Sequence, residues 1–151
     1  MRRTEIHSEI GIDAPPARVW EVLTDFPGHA RWNPFLRDIQ GAPRTGERLA
    51  VTVELPGRPR MVFRTRVVSA DPAGELTWVS RYGMPGLLDS EHSFVIAPQG
   101  DGDRSLLIQH ENFAGLLLPA FDERAQAEVH RAFGAMNAAL KREAEAALVT
   151  V

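Results

Sequence analysis

Two hydrophobic periods divide this chain, and the switch between them constrains its fold most. Leu49, Val51, Val53 and Leu55 alternate with Arg48, Ala50, Thr52 and Glu54. Met61, Phe63, Thr65 and Val67 alternate with Val62, Arg64, Arg66 and Val68. The pattern returns in Leu76, Trp78, Ser80 and Tyr82, and again in His92, Phe94 and Ile96. A period of two sets one side of each segment on a core, as in a half-buried strand. Turn-forming clusters separate the segments: Gly41 to Gly46, Pro56-Gly57-Arg58-Pro59, Asp71-Pro72-Ala73-Gly74, Gly83-Met84-Pro85-Gly86 and Gln99-Gly100-Asp101-Gly102-Asp103. Short strands joined by turns predict an antiparallel meander with one covered face. From Pro119 to about Leu148 the period becomes helical. Phe121, Ala125, Val129, Ala132, Phe133, Met136 and Leu140 share a stripe, with Glu123, Arg124, Arg131, Lys141 and Glu145 elsewhere. Such a helix reaches roughly 40 Å at 1.5 Å per residue, enough to cross a whole sheet. Its alanines and Gly134 keep the stripe thin, so it need not fill the space beneath it.

The first 35 residues carry a second signal. A β-like run from Ile6 to Ile12 leads into Asp13-Ala14-Pro15-Pro16-Ala17-Arg18-Val19-Trp20, and Trp32-Asn33-Pro34-Phe35 follows. Asp13 is expected to cap a short helix whose first turn tolerates both prolines, because those amides lack partners anyway. Val19, Trp20 and Leu23 give that helix one apolar face. Trp32-Asn33-Pro34 is expected to stop the chain and set an indole where it turns back.

The predicted order is therefore strand, short helix pair, about six strands, long helix. Together with Glu91-His92-Ser93-Phe94 and His110-Glu111-Asn112-Phe113-Ala114-Gly115, this order resembles the START-like, or SRPBCC, superfamily. That superfamily includes polyketide cyclases/dehydrases, lipid-transfer proteins and the major plant pollen allergens. The resemblance covers nearly the whole chain. It implies one α+β domain over residues 1–151 with the helix-grip fold: a curved antiparallel sheet of six to seven strands around a long C-terminal helix, two short helices after the first strand, and a ligand cavity.

Composition excludes several classes. The net charge of −3 provides no basic field for nucleic acid. Arg58, Arg60, Arg64 and Arg66 cluster locally, but Arg64 and Arg66 share a strand parity and read as a solvated face. With no cysteine, disulfides, thiol catalysis and thiolate metal sites are ruled out. Met1-Arg2-Arg3 resembles the start of a signal peptide, but Glu5, His7 and Glu9 interrupt any apolar core, so a cytoplasmic protein is expected. The longest apolar stretch, Ala114 to Ala120, is too short to span a bilayer.

In an antiparallel meander alternate loops share an end. The loops at 55–60 and 83–88, the exit of the last strand at 114–119 and the segment after Trp32 should therefore gather together. These loops are unusually apolar, with Met84, Pro85, Leu87 and Leu88 in one and Leu116, Leu117 and Leu118 in another. Three readings stay open: a hydrophobic mouth between sheet and helix, a cap on the core, or a homodimer contact. With strand parity, the mouth reading makes Trp32, Phe35, Val53, Phe63, Trp78, Tyr82, His92, Phe94, His110, Leu117, Phe121, Val129, Phe133 and Met136 the expected lining.

Placing Asp101 at the centre of the last hairpin pairs residues whose numbers sum to about 202. His92 then faces His110, Glu91 faces Glu111, and both histidines point inward with Phe94, Ile96, Leu106 and Ile108. A bulge would instead bring His92 to the face of Glu111. Acid/base chemistry would fall to His92, His110, Tyr82 and Glu111. Against that stands a plainer reading, polar groups bonded to water or neighbours within a cavity wall. No HExxH or carboxylate at a matching spacing completes a metal site, so no metal is expected. Asp101-Gly102-Asp103 has Asn112 where a calcium loop needs Glu, and reads as a turn. No glycine-rich phosphate loop opens a helix and no GxSxG is present, so neither a cofactor nor a serine nucleophile is expected. Three functions follow: a binder of a lipid, isoprenoid or polyketide-like molecule; a polyketide cyclase/dehydrase-type enzyme; or a partner-binding module like the chaperone activators of this fold, which predicts an exposed apolar patch but no cavity.

Overall fold

A computed structural model describes residues 3–149. Met1 and Arg2, which begin the basic start noted above, lie outside the described residues. Strand β1 (Thr4–Ile12) is followed by helix α1 (Pro16–Thr24), a 3-10 turn at Phe26–Gly28 and helix α2 (His29–Trp32). Strands β2 (Leu36–Gln40), β3 (Arg48–Val53), β4 (Met61–Asp71), β5 (Glu75–Arg81), β6 (Asp89–Gln99) and β7 (Arg104–Ala114) follow. A 3-10 turn at Leu118–Ala120 leads into helix α3 (Glu123–Val149). The strands form one antiparallel sheet in the order β1-β7-β6-β5-β4-β3-β2. This is the helix-grip architecture: the sheet curls around α3, whose Val129, Phe133, Met136 and Leu140 are buried. Among the described residues no helix is long and apolar enough to cross a membrane.

Three local expectations are corrected. Asp13 does not cap α1. The cap position is Pro15, whose carbonyl accepts from the Arg18 and Val19 amides, and the Asp13 amide donates to Glu145 on α3 at 2.8 Å. Nor does α3 begin at Pro119. Asp122 accepts the Ala125 amide at 2.9 Å, so the helix starts one residue after that cap and Pro119 stays in the preceding 3-10 turn.

The third correction is the register of the last hairpin. Its turn holds four residues between the paired Gln99 and Arg104, so its axis lies between Asp101 and Gly102. Facing residues sum to 203: His92 pairs with Glu111, Ser93 with His110 and Glu91 with Asn112. The pairing runs unbroken, so turn length rather than a bulge brings His92 beside Glu111. Ser105, Leu107, Gln109, Glu111 and Phe113 point inward, whereas Leu106, Ile108 and His110 belong to the outer side. There His110 meets Glu5 at 3.1 Å and lies edge-on to His7.

The Trp32-Asn33-Pro34 turn is held by its middle residue. The Asn33 side-chain Oδ1 accepts the backbone amides of Phe35 and Leu36 at 2.9 and 3.0 Å, and its Nδ2 donates to His29 Nδ1 at 3.0 Å. His29 Nε2 therefore carries the proton and donates to the Leu23 carbonyl at 2.7 Å. Burial lowers the pKa of His29 to about 4, which keeps it neutral. Asn33→Ala strands these buried groups, and urea unfolding should show a loss of about 1–3 kcal/mol. A loss near zero would mean that water takes over these bonds.

Candidate functional site

The four expected segments do gather at one end of the sheet, and they enclose a cavity of about 240 Å³. Leu116 and Leu117 donate their amides to the carbonyls of Gly86 and Leu87, binding the β7 exit to the β5–β6 loop. Gly115 makes that approach possible: its φ is 128°, and a Cβ there would lie 2.6 Å from the Leu87 oxygen. Arg58, in the β3–β4 loop, donates to Glu128 of α3 at 2.6 Å and spans the mouth on the other side. Burial distinguishes the two ends. Trp78, Ser80, Ser90, His92 and Glu111 are buried lining residues, whereas Leu117 is 39% exposed and Arg58 sits partly in solvent.

Of the expected lining, Phe35, Val53, Phe63, Trp78, His92, Leu117, Phe121 and Val129 face the cavity, joined by Leu36, Val51, Leu55, Met61, Leu88 and Phe113. The other six lie elsewhere. Trp32 packs on His29, with ring centres 4.6 Å apart. Tyr82 lies past the end of β5 and packs on Phe63 at 5.5 Å. Phe94 and Phe133 stack on His92 at 4.2 and 5.1 Å and so back the wall rather than form it. Met136 is fully buried farther along α3, and His110 is on the outer face. Met84 and Leu116 are exposed beside the mouth.

The inner end of this apolar space is polar. His92 Nδ1 lies 3.5 Å from Glu111 Oε1, and Ser90 hydrogen-bonds the same carboxyl group. Ser80 adds a hydroxyl, itself 2.9 Å from Thr65 Oγ1. Behind His92 runs a chain absent from the sequence reading. Asn137 of α3 donates to Ser8 at 3.2 Å and accepts from the Gln109 amide at 2.6 Å. The Gln109 carbonyl oxygen then lies 3.0 Å from His92 Nε2. A carbonyl oxygen only accepts, so Nε2 carries the proton and the Nδ1 lone pair faces Glu111. Gln109 and Asn137 are 0% and 1% exposed, which makes their complete pairing necessary. Asn137 had one available signal, an amide on the apolar stripe of α3.

Burial sets the protonation of the pair. It lowers the His92 pKa to about 3, with the Gln109 bond opposing and nearby His110 adding slightly. It raises the Glu111 pKa to about 7, with the Ser90 bond opposing. Between about pH 3 and 7 the pair therefore holds one titrating proton, and that proton sits on the carboxyl group.

A model of the family described as polyketide cyclase / dehydrase and lipid transport matches residues 3–145. No curated protein matches the chain. Among solved structures, the Zhui aromatase/cyclase from Streptomyces sp. R1128 is 20% identical, with 99% of this chain and 98% of that chain covered at a TM-score of 0.81. A START superfamily protein from Mycobacterium smegmatis is 20% identical, with 95% and 98% covered and a TM-score of 0.76. Norcoclaurine synthase from Thalictrum flavum is 13% identical, with 97% of each chain covered and a TM-score of 0.70. At these identities the likeness to the solved structures is one of fold.

Proposed function

The chain belongs to the polyketide cyclase / dehydrase and lipid transport family, and we propose that it encloses one compact hydrophobic or amphipathic small molecule between the sheet and α3. The observation carrying this reading is the cavity of about 240 Å³, walled by aliphatic and aromatic side chains, with polar groups at its inner end and Arg58 at its mouth. That volume is somewhat below the roughly 300–1,000 Å³ of drug-sized ligand pockets. It favours a molecule of one or two rings, or one end of a longer chain whose remainder passes the mouth. A two-chain lipid would not be enclosed. The reading as a partner-binding module predicts an exposed apolar patch but no cavity; Met84 and Leu116 are exposed, and the cavity is what supports the small-molecule reading over it.

A second reading, a cyclase/dehydrase-type enzyme, is favoured by the one-proton pair of Glu111 and His92 at the inner end of a mostly apolar cavity. There a carboxylic acid and an imidazole lone pair could exchange protons with a ligand. Two of the solved structures bear names of enzymes acting on small molecules, an aromatase/cyclase and a synthase, in keeping with such use of the fold.

Native mass spectrometry of the protein purified under mild conditions should show one small molecule per chain, released on denaturation. A neutral two-ring fluorescent dye, a dialkylaminonaphthalene, should compete with it. Leu117→Asp places a carboxylate on the cavity rim and should weaken dye uptake about tenfold. Empty protein that takes up no dye would sink the cavity reading. A change in oligomeric state alone would turn Leu117 into a subunit contact.

A further inference from the structure

We infer that the inner end of the cavity recognises an uncharged oxygen group of the ligand, a ketone or a hydroxyl, through Glu111 as hydrogen-bond donor, and that it refuses a carboxylate. The inference rests on the cavity being the ligand site.

The geometry carries it in three steps. First, the inner end holds no cation. Among the described residues Arg58 is the one Arg or Lys in the lining, and it sits at the mouth, bonded to Glu128. Second, His92 cannot donate there. Its Nε2 proton is taken by Gln109, whose own amide is held by Asn137, so His92 turns only a lone pair toward Glu111. Third, the Glu111 proton is not captured within the protein. Ser90 bonds to the carboxyl group, and the 3.5 Å gap to Nδ1 is longer than a normal hydrogen bond. A buried carboxyl without a cation keeps its proton, and burial does raise its pKa to about 7. What remains is a proton donor facing an apolar space. A ketone or hydroxyl satisfies it, whereas a carboxylate would add an uncompensated buried charge.

The charges around Glu111 support this from each packed element. On β6 the titratable neighbour is His92. The α3 residues lining the cavity, Ala125 and Val129, are apolar, and Glu128 is turned to Arg58. On the outer face, His110 and His7 are engaged by Glu5 and Glu9.

Three probes of nearly equal shape test the inference: methyl naphthyl ketone, its hydrocarbon isostere isopropenylnaphthalene, and naphthoate. At about pH 5.5 calorimetry of the wild-type protein should show the ketone bound about 3- to 10-fold tighter than the hydrocarbon, the value of one net hydrogen bond. Naphthoate should bind more weakly than either. Glu111→Gln, which keeps a donor, should preserve the preference for the ketone, and Glu111→Leu should abolish it. In the wild type the same preference should fall at about pH 8.5, where the carboxyl group has ionised. That pH comparison decides the matter even if Glu111→Leu does not fold. Equal affinity for ketone and hydrocarbon, or tightest binding of naphthoate, overturns the inference and leaves the cavity reading standing. Failure of all three probes to bind overturns the cavity reading and the inference with it.

Discussion

Replacing Phe133 with alanine is expected to destabilise the protein by about 3–5 kcal/mol, a large share of the roughly 5–15 kcal/mol that holds a domain together. Phe133 is completely buried at the middle of α3. Its ring stacks on His92 with the planes 17° apart and packs against Phe35 at 5.6 Å. Two contributions add. One is the lost transfer of a benzyl group from water. The other is the void left between a helix and a sheet that are held apart by their other contacts. This void would lie behind the His92 ring, which itself borders the existing cavity, so the neighbours have no dense layer from which to fill it. Phe133→Leu retains most of the volume and should cost less than about 1.5 kcal/mol. Urea unfolding of both variants gives the comparison, and a loss below 1 kcal/mol for alanine would show that the wall closes in. The ring also shields His92 from solvent. With alanine at 133 the imidazole pKa should climb from about 3 toward its ordinary 6.5, visible by NMR titration.

The architecture was legible because it depends on long patterns. Alternation over β3 to β6 and the stripe from Val129 to Leu140 tolerate an error of a residue or two without changing the result. The gathering of apolar loops at one end followed from strand direction alone. The site was less legible because it depends on parity, where an error of one residue reverses a face. Placing the hairpin centre on Asp101, rather than between Asp101 and Gly102, was enough to turn His110 inward and Glu91 onto Glu111.

Other features had no periodic signature at all. Gln109 and Asn137 meet across two elements that are distant in sequence, β7 and α3, and each alone looks like an ordinary polar residue. The Trp32-Asn33-Pro34 turn was visible, but its agent is Asn33 rather than the indole. Phe94 and Phe133, expected in the cavity lining, lie one layer behind it, because His92 stands between them and the open space. Parity indicates which side of a sheet a residue faces, not how many residues stand between it and open space.

The second large effect is expected in the pH dependence of stability, where Glu111 and His92 should conceal each other. In the folded protein Glu111 has a pKa of about 7 against an ordinary 4.5, so it favours folding most at low pH and loses that advantage as pH rises from 4.5 to 7. His92 does the reverse. Its folded value is about 3 against 6.5, so stability is lost as pH falls from 6.5 to 3. Between 4.5 and 6.5 the unfolded chain binds one proton on this pair, on the histidine, and the folded chain binds one, on the glutamate. Equal proton counts mean no slope from the pair in that window. Removing either partner uncovers the other. Relative to wild type, Glu111→Gln should gain stability with rising pH by about 1.4 kcal/mol per unit, about 3 kcal/mol in all by pH 7. His92→Gln should show the opposite relative slope between pH 3 and 6.5, totalling about 5 kcal/mol. Taking differences from wild type cancels His29, which also stays neutral through burial. Chemical unfolding of the three proteins across this range settles the sign. A charged Glu111–His92 ion pair would reverse both slopes, because each partner would then hold the other ionised in the folded state. That result would remove the protonated carboxyl group from the cavity, and with it both the acid/base reading and the preference for an uncharged ligand oxygen.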